Sequence, residues 1–377
     1  MKKIFAMLLA LAMVFAFIAC SGSNNQAEDK PVRIGVLVAD VSGEEALGFR
    51  AYYENYIAKN YNVTFTYTEQ LEDAAAEKSA IEKFAAQGYD AILSLSSADR
   101  ATQIETAAAN KLYYAVVSGM LDDAQYEQYK SNPYFVGQIG PSMDTEFEAG
   151  FAMGKHFADQ GAKTVGIYGA FIPNPMHVYR TAGVLAGLGC TYGGASDKDG
   201  IAGQLFADQG VDMSKVACGN VQVIGYFQGF GDTTFDELFA IVGQTPDAFL
   251  SVGMATTFFA EALNGAHIPY ADIDSFTTGN AANMKDGSLV YLAGKYSSSI
   301  GPIFAAVLNA VKGNPIRDEN GNAISLSQNY LVATDSETFD SIFNGDKGDS
   351  PIFGKDALDK AIGKISYSDF AALVASK

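Results

Sequence analysis

The sequence predicts an α/β protein built from two doubly wound parallel-sheet lobes. Short runs that are apolar on both faces and rich in β-branched residues alternate with segments whose apolar residues recur at helical spacing. This alternation is typical of parallel sheets covered by helices on both sides, and it starts afresh after residue 140. About 345 residues follow an N-terminal targeting segment, and that length suits two domains of average size.

The first lobe is predicted to begin at residue 32. A buried strand over residues 32–40 precedes an amphipathic helix over residues 42–60, and the same strand-then-helix unit then recurs. The further strands are expected over residues 62–69, 89–97 and 112–119, with helices over residues 74–87 and 100–110 between them.

The second lobe is predicted to follow a strand over residues 134–140. It opens with a helix over residues 144–160 and repeats the pattern of buried strand and amphipathic helix. Its strands are expected over residues 163–170, 221–229, 247–254 and 274–280, with helices around residues 180 and 258–264. Three later segments, at residues 290–299, 300–313 and 329–335, are enough to return the chain to the first lobe and back again.

The N-terminus has the layout of an export signal. Two lysines precede an apolar run over residues 4–19, which is shorter than the roughly 20 residues that a membrane-spanning helix needs. The run ends at Cys20 and resembles a bacterial lipobox, although Phe17 stands where leucine is usual. We expect a signal peptide over residues 1–19 and a lipidated Cys20 with a flexible tether over residues 20–30. A buried cysteine in a retained anchor is the alternative.

Charge and residue content exclude several classes of function. The net charge of −18 repels phosphate backbones, so nucleic acid is not expected as a partner, and the acidic surface is better explained by solubility than by recognition of a cation. Three histidines and no Cys-x-x-Cys give little support to a metal site. No glycine-rich dinucleotide loop and no G-x-S-x-G motif is present, so we expect neither a cofactor nor an enzyme.

Cys190 and Cys218 bracket a stretch rich in glycine and aspartate that is predicted to be a surface insertion. Disulfides persist outside the cytoplasm, so a bond between these two residues is a hypothesis. Two cysteines in a sequence do not establish the geometry, and counting free thiols after denaturation would decide between bonded and free.

Two segments carry a resemblance to a known family. Residues 135–169 and residues 286–316 are similar in order and spacing to the lobe crossings of the type I periplasmic binding proteins, in particular the ribose-binding-like and nucleoside-binding lipoprotein group. The resemblance extends from Val32 to about Asp335. It implies a three-segment hinge with crossings near Gly140, Tyr296 and Asn329.

On this resemblance the first lobe comprises residues 31–140 and 296–328, and the second comprises residues 141–295 and 329–377. The implied function is that of an extracytoplasmic solute-binding lipoprotein of an ABC-type importer. It would be a monomer on the outer face of the cell membrane, would bind a small polar solute such as a sugar or nucleoside by hinge closure, and would deliver that solute to a permease. A sensory lipoprotein that transports nothing is the alternative.

Ligands of open α/β sheets lie beyond the carboxyl ends of the strands, and this rule gives the candidate ligand-binding residues. They are Asp40, Ser42, Ser97, Asp99 and Ser118 on the first lobe, Phe171, Arg180, Tyr226, Gln228, Met254, Thr256 and Asn280 on the second, and Lys295 and Tyr296 at the hinge.

Each candidate has a structural alternative. Ser and Asp residues after strands are common helix N-caps, and Arg180, which lies near the arginine that the family uses, could instead form a surface ion pair.

Two positions depart from the pattern of the family's sugar binders. These binders carry Asp-Arg and Asn-Asp, which clamp sugar hydroxyls, where this chain has Ser118-Gly119 and Met254-Ala255. Their absence weakens the assignment to a simple sugar, and a nucleoside or another polar metabolite remains an alternative.

Overall fold

The computed structural model describes residues 30–231 and 233–376. The predicted signal peptide, the predicted lipidation site at Cys20 and the tether up to residue 29 lie outside these residues. From Val32 onward the described chain forms one compact unit. None of the described helices combines the length and the apolar character that crossing a bilayer requires.

Most strands lie close to the predicted positions, but the strand expected over residues 274–280 spans residues 270–275. The structure adds five strands that the sequence did not define, over residues 190–192, 216–218, 289–295, 324–327 and 331–333. The described strands are numbered in chain order. Their bounds are β1 (Val32–Val38), β2 (Val63–Gln70), β3 (Ala91–Leu95), β4 (Tyr113–Val117), β5 (Phe135–Gly140), β6 (Thr164–Tyr168), β7 (Cys190–Tyr192), β8 (Val216–Cys218), β9 (Gln222–Phe227), β10 (Ala248–Ser251), β11 (Tyr270–Ser275), β12 (Leu289–Lys295), β13 (Ile324–Ser327) and β14 (Leu331–Ala333).

Helix α1 spans residues 44–60 and contains a π-helical stretch, Tyr52–Ile57. The other helices are α2 (Ala74–Ala86), α3 (Arg100–Ala109), α4 (Asp123–Tyr129), α5 (Met143–Asp159), α6 (Pro175–Gly187), α7 (Lys198–Asp208), α8 (Thr233–Val242), α9 (Ala255–Gly265), α10 (Thr278–Asp286), α11 (Gly301–Val311), α12 (Ser336–Gly345), α13 (Lys355–Ala361) and α14 (Tyr367–Ala375).

Two six-stranded sheets form the cores of the two lobes. The first sheet has the order β13-β5-β4-β3-β1-β2 and is parallel throughout. The second has the order β14-β12-β11-β10-β6-β9 and is parallel except for β14, which runs antiparallel to β12. The central strands are buried on both faces, which explains their continuous apolar sequences. The predicted fold class is therefore confirmed.

Helices α5 and α6 pack more closely than any side chain would allow. A Cβ atom at Gly150 would overlap the carbonyl oxygen of Arg180, and one at Gly183 would overlap that of Phe147. Glycine at these contacts lets the two backbones meet directly. The close approach sets the first turn of α5 beside the middle of α6, and a buried ion pair described below depends on it.

Three crossings join the lobes, and hydrogen bonds tie them together. The chain crosses between β5 and α5, between β12 and α11, and between β13 and β14. Gln328 in the third crossing donates its backbone N–H to the carbonyl of Gly140 (3.0 Å) and its side-chain N–H to that of Ser299 (3.1 Å). One residue thus links all three crossings, which agrees with the expected positions near Gly140, Tyr296 and Asn329.

An insertion between α6 and β9 forms a small subdomain of β7, α7 and β8. Strands β7 and β8 pair antiparallel, and Cys190 lies directly opposite Cys218. The two residues form a disulfide with a Cα–Cα distance of 4.0 Å. Helix α7 packs on α6, and Lys198 at its start forms an ion pair with Asp144 of α5. The insertion is therefore fixed to the second lobe rather than being a free surface loop.

The C-terminal segment divides between the lobes, which differs from the assignment of residues 329–377 to the second lobe. Helix α12 packs on α10 and β14 of the second lobe, but α13 and α14 pack on α11 and β13 of the first. Asn309 of α11 donates to the carbonyl of Ala361 (2.8 Å) and accepts from the N–H of Gly363 (2.6 Å). Amphipathic spacing marks these helices but does not say which sheet they cover, so the sequence could not place them.

Candidate functional site

The carboxyl ends of the two sheets face each other, and the start of α1 bridges them. Glu45 accepts a hydrogen bond from the hydroxyl of Ser275 and lies 3.4 Å from Nζ of Lys295. Its neighbour Glu44 accepts from the backbone N–H of Thr278 at 2.5 Å. Ser275 and Lys295 end β11 and β12, so these contacts join the first lobe to the strand ends of the second. The space between the two carboxyl edges is called the cleft below.

On the first lobe, Asp40 and Ser42 form a turn before α1. The carboxylate of Asp40 accepts from the N–H groups of Ser42 (2.9 Å) and Gly43 (3.0 Å), and these bonds lower the pKa of Asp40. Both side chains lie at the carboxyl end of β1, as predicted. The Asp40 carboxylate therefore stabilises its own turn, a structural role of the kind considered for it above.

The loop after β3 is organised in the same way. Asp99 caps α3 by accepting from the N–H (3.0 Å) and the hydroxyl (2.6 Å) of Thr102, which lowers its pKa. The buried carboxylate of Glu77 accepts from the hydroxyl of Ser96 (2.5 Å) and from the N–H groups of residues 98 and 99 (2.9 Å each). Ser97 is exposed and makes no hydrogen bond with the described residues.

Ser118 differs from the other first-lobe candidates. Its backbone is left-handed, with φ of 54°, and its hydroxyl is buried without a partner among the described residues. The following Gly119 lies beside Arg100, whose Nη1 donates to the carbonyl of Met120 at 2.7 Å and whose Nε is also buried without a described partner. Burial lowers the pKa of Arg100. These two groups are buried donors beside the carboxyl ends of β3 and β4 that no described residue satisfies.

On the second lobe, Phe171 follows β6 and is 49% exposed, so its ring is free to contact a ligand. Its backbone is engaged by His177, whose Nδ1 lies 3.1 Å from the N–H nitrogen and 3.0 Å from the carbonyl oxygen of Phe171. The Nε2 atom of His177 is left without a described hydrogen bond. Burial, together with the positive charges of Arg180 and Lys295, lowers the pKa of His177 to about 4, so its ring is neutral at pH 7.

Arg180 is buried rather than on the surface. Its Nε donates to Glu146 at 2.6 Å, and its Nη2 donates to the hydroxyl of Tyr330 at 2.5 Å. Its Nη1 donates to the carbonyls of Val252 (2.7 Å) and Ile273 (3.1 Å). Burial alone would lower the pKa of Arg180, but Glu146 and Tyr330 raise it above its ordinary value.

Four of the five guanidinium N–H groups of Arg180 are thus occupied within the second lobe and the third crossing. Arg180 holds the carboxyl ends of β10 and β11 against α5, which is a structural role. Contact with a ligand stays a prediction for the fifth N–H alone. The surface ion pair considered as its alternative is wrong, since the pair with Glu146 is buried: both side chains are 4% exposed.

Tyr226 and Gln228 form a chain of hydrogen bonds at the end of β9. The hydroxyl of Tyr226 donates to the side-chain oxygen of Gln228 at 2.6 Å, and the amide of Gln228 donates to the carbonyl of Gln209 in the insertion at 2.9 Å. Burial raises the pKa of Tyr226 well above its ordinary value. Both side chains lie at the predicted edge, but they are engaged with each other and with the insertion.

Met254 and Thr256 flank the start of α9 and have different surroundings. Met254 adopts a left-handed backbone, with φ of 68°, and its side chain is 39% exposed. Thr256 bonds through its hydroxyl to the hydroxyl of Tyr270 at 2.8 Å, within the lobe. The start of α9 is capped by Asp272, which accepts from the N–H of Ala255 at 2.7 Å. Burial raises the pKa of Asp272 to about 6.

Asn280 and the hinge residues complete the predicted set. Asn280 is fully buried and donates to the carbonyl of Ser275 at 2.7 Å, while its side-chain oxygen has no described partner. Lys295 is half-buried and pairs with Glu45, as given above. Tyr296 is buried in the hinge with its ring stacked on that of Phe353, with centroids 6.4 Å apart. It belongs to the packing of the hinge and is not a free platform for a ligand.

Similar solved structures share this architecture. The periplasmic binding protein of an arabinose ABC transporter from Shewanella sp. ANA-3, bound to L-arabinofuranose, is 18% identical, with 82% of this chain and 93% of that chain covered and a TM-score of 0.57. A protein from Mycobacterium smegmatis in complex with β-D-fucofuranose is 13% identical, with coverage of 82% and 94% and a TM-score of 0.60. The chain has the type I periplasmic binding protein fold.

A third structure with this fold, an ABC transporter solute-binding protein from Bacillus halodurans with bound myo-inositol, is 13% identical, with 84% and 98% of the two chains covered and a TM-score of 0.58. No protein-family model matches the sequence, and no curated protein is significantly similar to it. The resemblance stated from the two sequence segments is thus confirmed at the level of the type I fold.

One acidic residue at the carboxyl edge of the second sheet was not among the predicted site residues. Asp274 lies near the end of β11, is half-buried, and accepts no hydrogen bond from the described residues. Burial raises its pKa well above the ordinary value, and the carboxylates of Asp272 and Glu45 raise it further, while Lys295 and Arg180 oppose the shift. Glu45 belongs to the other lobe, so Asp274 lies where the two lobes meet.

A sequence signal for Asp274 existed. Asp272 and Asp274 alternate within a strand whose other residues are buried, so both carboxylates share one face of β11. Charged residues are rare inside parallel strands, and a pair of them there indicates a special site. Glu45 and His177, on helices, had no comparable signal. Among the described residues, no group of three or more His, Cys, Asp or Glu side chains is arranged to hold a metal ion.

Proposed function

We propose that this chain is an extracytoplasmic solute-binding protein of an ABC-type importer. It binds a small polyhydroxylated molecule in the cleft and catalyses no reaction. The observation that carries this proposal is the meeting of two parallel-sheet carboxyl edges across a three-segment hinge, because ligands of open α/β sheets bind at such edges.

The chemistry of the cleft supports a ligand with several hydroxyl groups. Asp274 offers an acceptor without a partner, and Nε2 of His177 and the Lys295 ammonium are further polar groups beside it. A hydroxyl group both donates and accepts, so it can pair with either kind of group on leaving water. Structures with this fold bind arabinofuranose, fucofuranose and myo-inositol, all of which are polyhydroxylated.

The bridge at the start of α1 is a contact of the closed form. Glu45 contacts Ser275 and Lys295 only when the lobes are together, so these bonds belong to the closed form. A ligand that touches both lobes binds the closed form better and shifts the equilibrium toward it. The ion pair of Glu45 with Lys295 is partly exposed, and such a pair contributes about 1 kcal/mol or less. Ser275 is buried, so its hydrogen bond to Glu45 contributes more, and ligand contacts supply the rest of the free energy of closure.

Anchoring by a lipid on Cys20 is part of the proposal and rests on the sequence alone. Residues 1–20 carry the charged, apolar and cysteine-terminated layout of a lipoprotein signal. Metabolic labelling with a radioactive fatty acid should mark the expressed full chain, and Cys20→Ser should abolish the label. Labelling of the serine variant would contradict the assignment.

The experiment that tests binding is a thermal-shift screen of residues 20–377 carrying Cys20→Ser. Pentoses, hexoses, inositols, nucleosides and amino acids are each added in turn. A ligand at a hundredfold excess over its Kd stabilises the native protein by roughly 2.7 kcal/mol, which is readily measured. A shift with polyhydroxylated compounds, reduced to about a third in Asp274→Asn and kept in the surface variant Asp340→Asn, supports the proposal. A response confined to amino acids would overturn the assigned ligand class.

A further inference from the structure

Large apolar side chains are exposed along one stretch of the second lobe. Phe171 (49% exposed), Phe230 (53%), Met254 (39%) and Phe258 (39%) are four of them, and together they are called the apolar rim. They follow strands β6, β9 and β10, which are neighbours in the order β10-β6-β9. Three adjacent strands thus present apolar groups at the edge where a type I fold holds its ligand.

The aromatic rings of the apolar rim pack against each other and against a buried tyrosine. The ring of Phe230 lies 5.3 Å from that of Phe258 and meets the buried ring of Tyr168 edge-on at 6.4 Å. The hydroxyl of Tyr168 donates to the carbonyl of Gly229 at 3.1 Å, which fixes the loop that carries Phe230. The exposed rings therefore have defined positions, as a binding surface requires.

The other half of the same edge is polar. Asp274 and Ser275 end β11, Lys295 ends β12, and Asn280 lies in the first turn of the helix after β11. The Asp274 carboxylate and the Asn280 side-chain oxygen have no described hydrogen-bond partners. Along the sheet, the unpaired polar groups lie at β12 and β11, and the exposed apolar side chains follow β10, β6 and β9. The polar side chains at the end of β9, Tyr226 and Gln228, are bonded to each other and to the insertion.

We infer that the ligand is amphipathic, with a polyhydroxylated end at β11 and β12 and a flat apolar ring against the apolar rim. This inference rests on the proposed function and names the substrate class of the same site. An aryl glycoside has this chemistry. A small polyol is polar all round and would leave the apolar rim in water.

The position of the apolar rim favours a small ligand over a protein partner. Met254 follows β10, the neighbour of β11, so the apolar rim begins beside the polar groups. Phe230 follows the edge strand β9, but its ring contacts that of Phe258 in the helix after β10. One molecule can therefore reach the polar groups and the near end of the apolar rim. Phe235 (43% exposed) and Phe239 (54%) continue the aromatic surface along α8, away from the strand ends. Phe239 is thus a matched control, since it is equally exposed but lies two turns further from the edge.

The test compares pairs of ligands that share a sugar and differ in one group. Methyl and phenyl β-D-glucopyranoside, and the corresponding galactopyranosides, are titrated by calorimetry into residues 20–377 carrying Cys20→Ser. Burial of a phenyl ring predicts that at least one phenyl glycoside binds about thirtyfold more tightly than its methyl partner. Phe230→Ala combined with Phe258→Ala should reduce this ratio to about threefold or less, and Phe239→Ala should leave it unchanged.

Each outcome decides a different question. Equal affinity for methyl and phenyl members overturns the inference and leaves the proposed function standing. A phenyl preference that survives Phe230→Ala with Phe258→Ala also overturns it, because the phenyl ring then binds somewhere other than the apolar rim. A protein that binds no member of any pair, while polyols raise its melting temperature, contradicts the inference alone. If polyols also have no effect, the proposed function fails with it.

Discussion

In the first lobe, the carboxylates of Asp40, Asp99 and Glu77 accept hydrogen bonds from backbone N–H groups that follow β1 and β3. In the second lobe, Asp274 accepts none from the described residues, and Nε2 of His177 and the side-chain oxygen of Asn280 are likewise unoccupied. Both sets of residues lie at or after the carboxyl ends of parallel strands. The same position in the fold therefore serves two purposes. The first lobe uses polar groups to fix its loops, and the second keeps polar groups available.

This difference assigns the two lobes different roles in binding. A loop whose donors and acceptors are satisfied is preorganised and can cover a ligand without rearranging. Unsatisfied polar groups favour a ligand that pairs with them. Ser118, Arg100 and Tyr67 are exceptions on the first lobe, each with one buried group lacking a described partner. We therefore expect selectivity to reside mainly in the second lobe, with the first acting as its cover.

The largest effect is expected at Arg180, beneath the cleft of the second lobe. Arg180→Met removes the partner of the buried Glu146 carboxylate and the donor to the carbonyls of Val252 and Ile273. Breaking a buried pair in this way costs about 3–5 kcal/mol in the free energy of unfolding. Denaturant titration measures it. Adding Glu146→Leu should restore much of the loss, and a single variant as stable as the parent would contradict the structural role.

Asp274→Asn should weaken ligand binding while raising the stability of the protein. Burial and the nearby carboxylates raise the pKa of Asp274, so its charged form destabilises the native state above the unfolded-state pKa, and that cost grows as the pH rises. The neutral amide removes the cost, and the melting temperature at pH 7 should rise. Affinity for a hydroxylated ligand should fall by about 2 kcal/mol, or roughly thirtyfold. A fall in both quantities would indicate a structural residue instead.

His177→Gln tests the neutral ring in the same lobe. The folded-state pKa of about 4 lies below the unfolded value, so the unfolded chain binds more protons between these values and stability falls as the pH falls. Between pH 7 and pH 5 the parent should lose about 2 kcal/mol more than the variant. Urea titrations at several pH values measure the difference. Parallel curves for the two proteins would exclude a buried neutral His177.

The smallest effect is expected on the first lobe. Asp99→Ala removes the cap of α3 and should lower the free energy of unfolding by about 1 kcal/mol. Ligand affinity should stay within about threefold of the parent, since the carboxylate already serves its own helix. Calorimetric titration with the best ligand from the screen checks this. A loss of affinity comparable to that of Asp274→Asn would remove the distinction between the lobes.

The sequence predicted the sheets well because their strands are buried on both faces and give continuous apolar runs. It also offered a helix cap as the alternative for Asp99, which accepts from the N–H group three residues on. The hinge crossings followed from a resemblance that covers most of the chain.

The site was predicted less well. The burial of a side chain and its contacts with residues distant in sequence do not follow from the local sequence pattern. Helical spacing placed Arg180 on α6 but could not show that glycines bring α5 close enough to bury it against Glu146. The sequence placed Tyr296 at the cleft, but its ring is stacked on that of Phe353, a residue distant in sequence. Residues 355–376 illustrate the same limit, since an amphipathic helix can cover either sheet.

Amide hydrogen exchange with and without saturating ligand can show whether the second lobe carries recognition. We expect the greatest protection in residues 169–177, 252–256 and 274–280. Residues 96–102 should change little, because amides in this loop are already bonded to Glu77 and Asp99. Protection concentrated in residues 40–43 and 96–102, with the second-lobe segments unaffected, would contradict it.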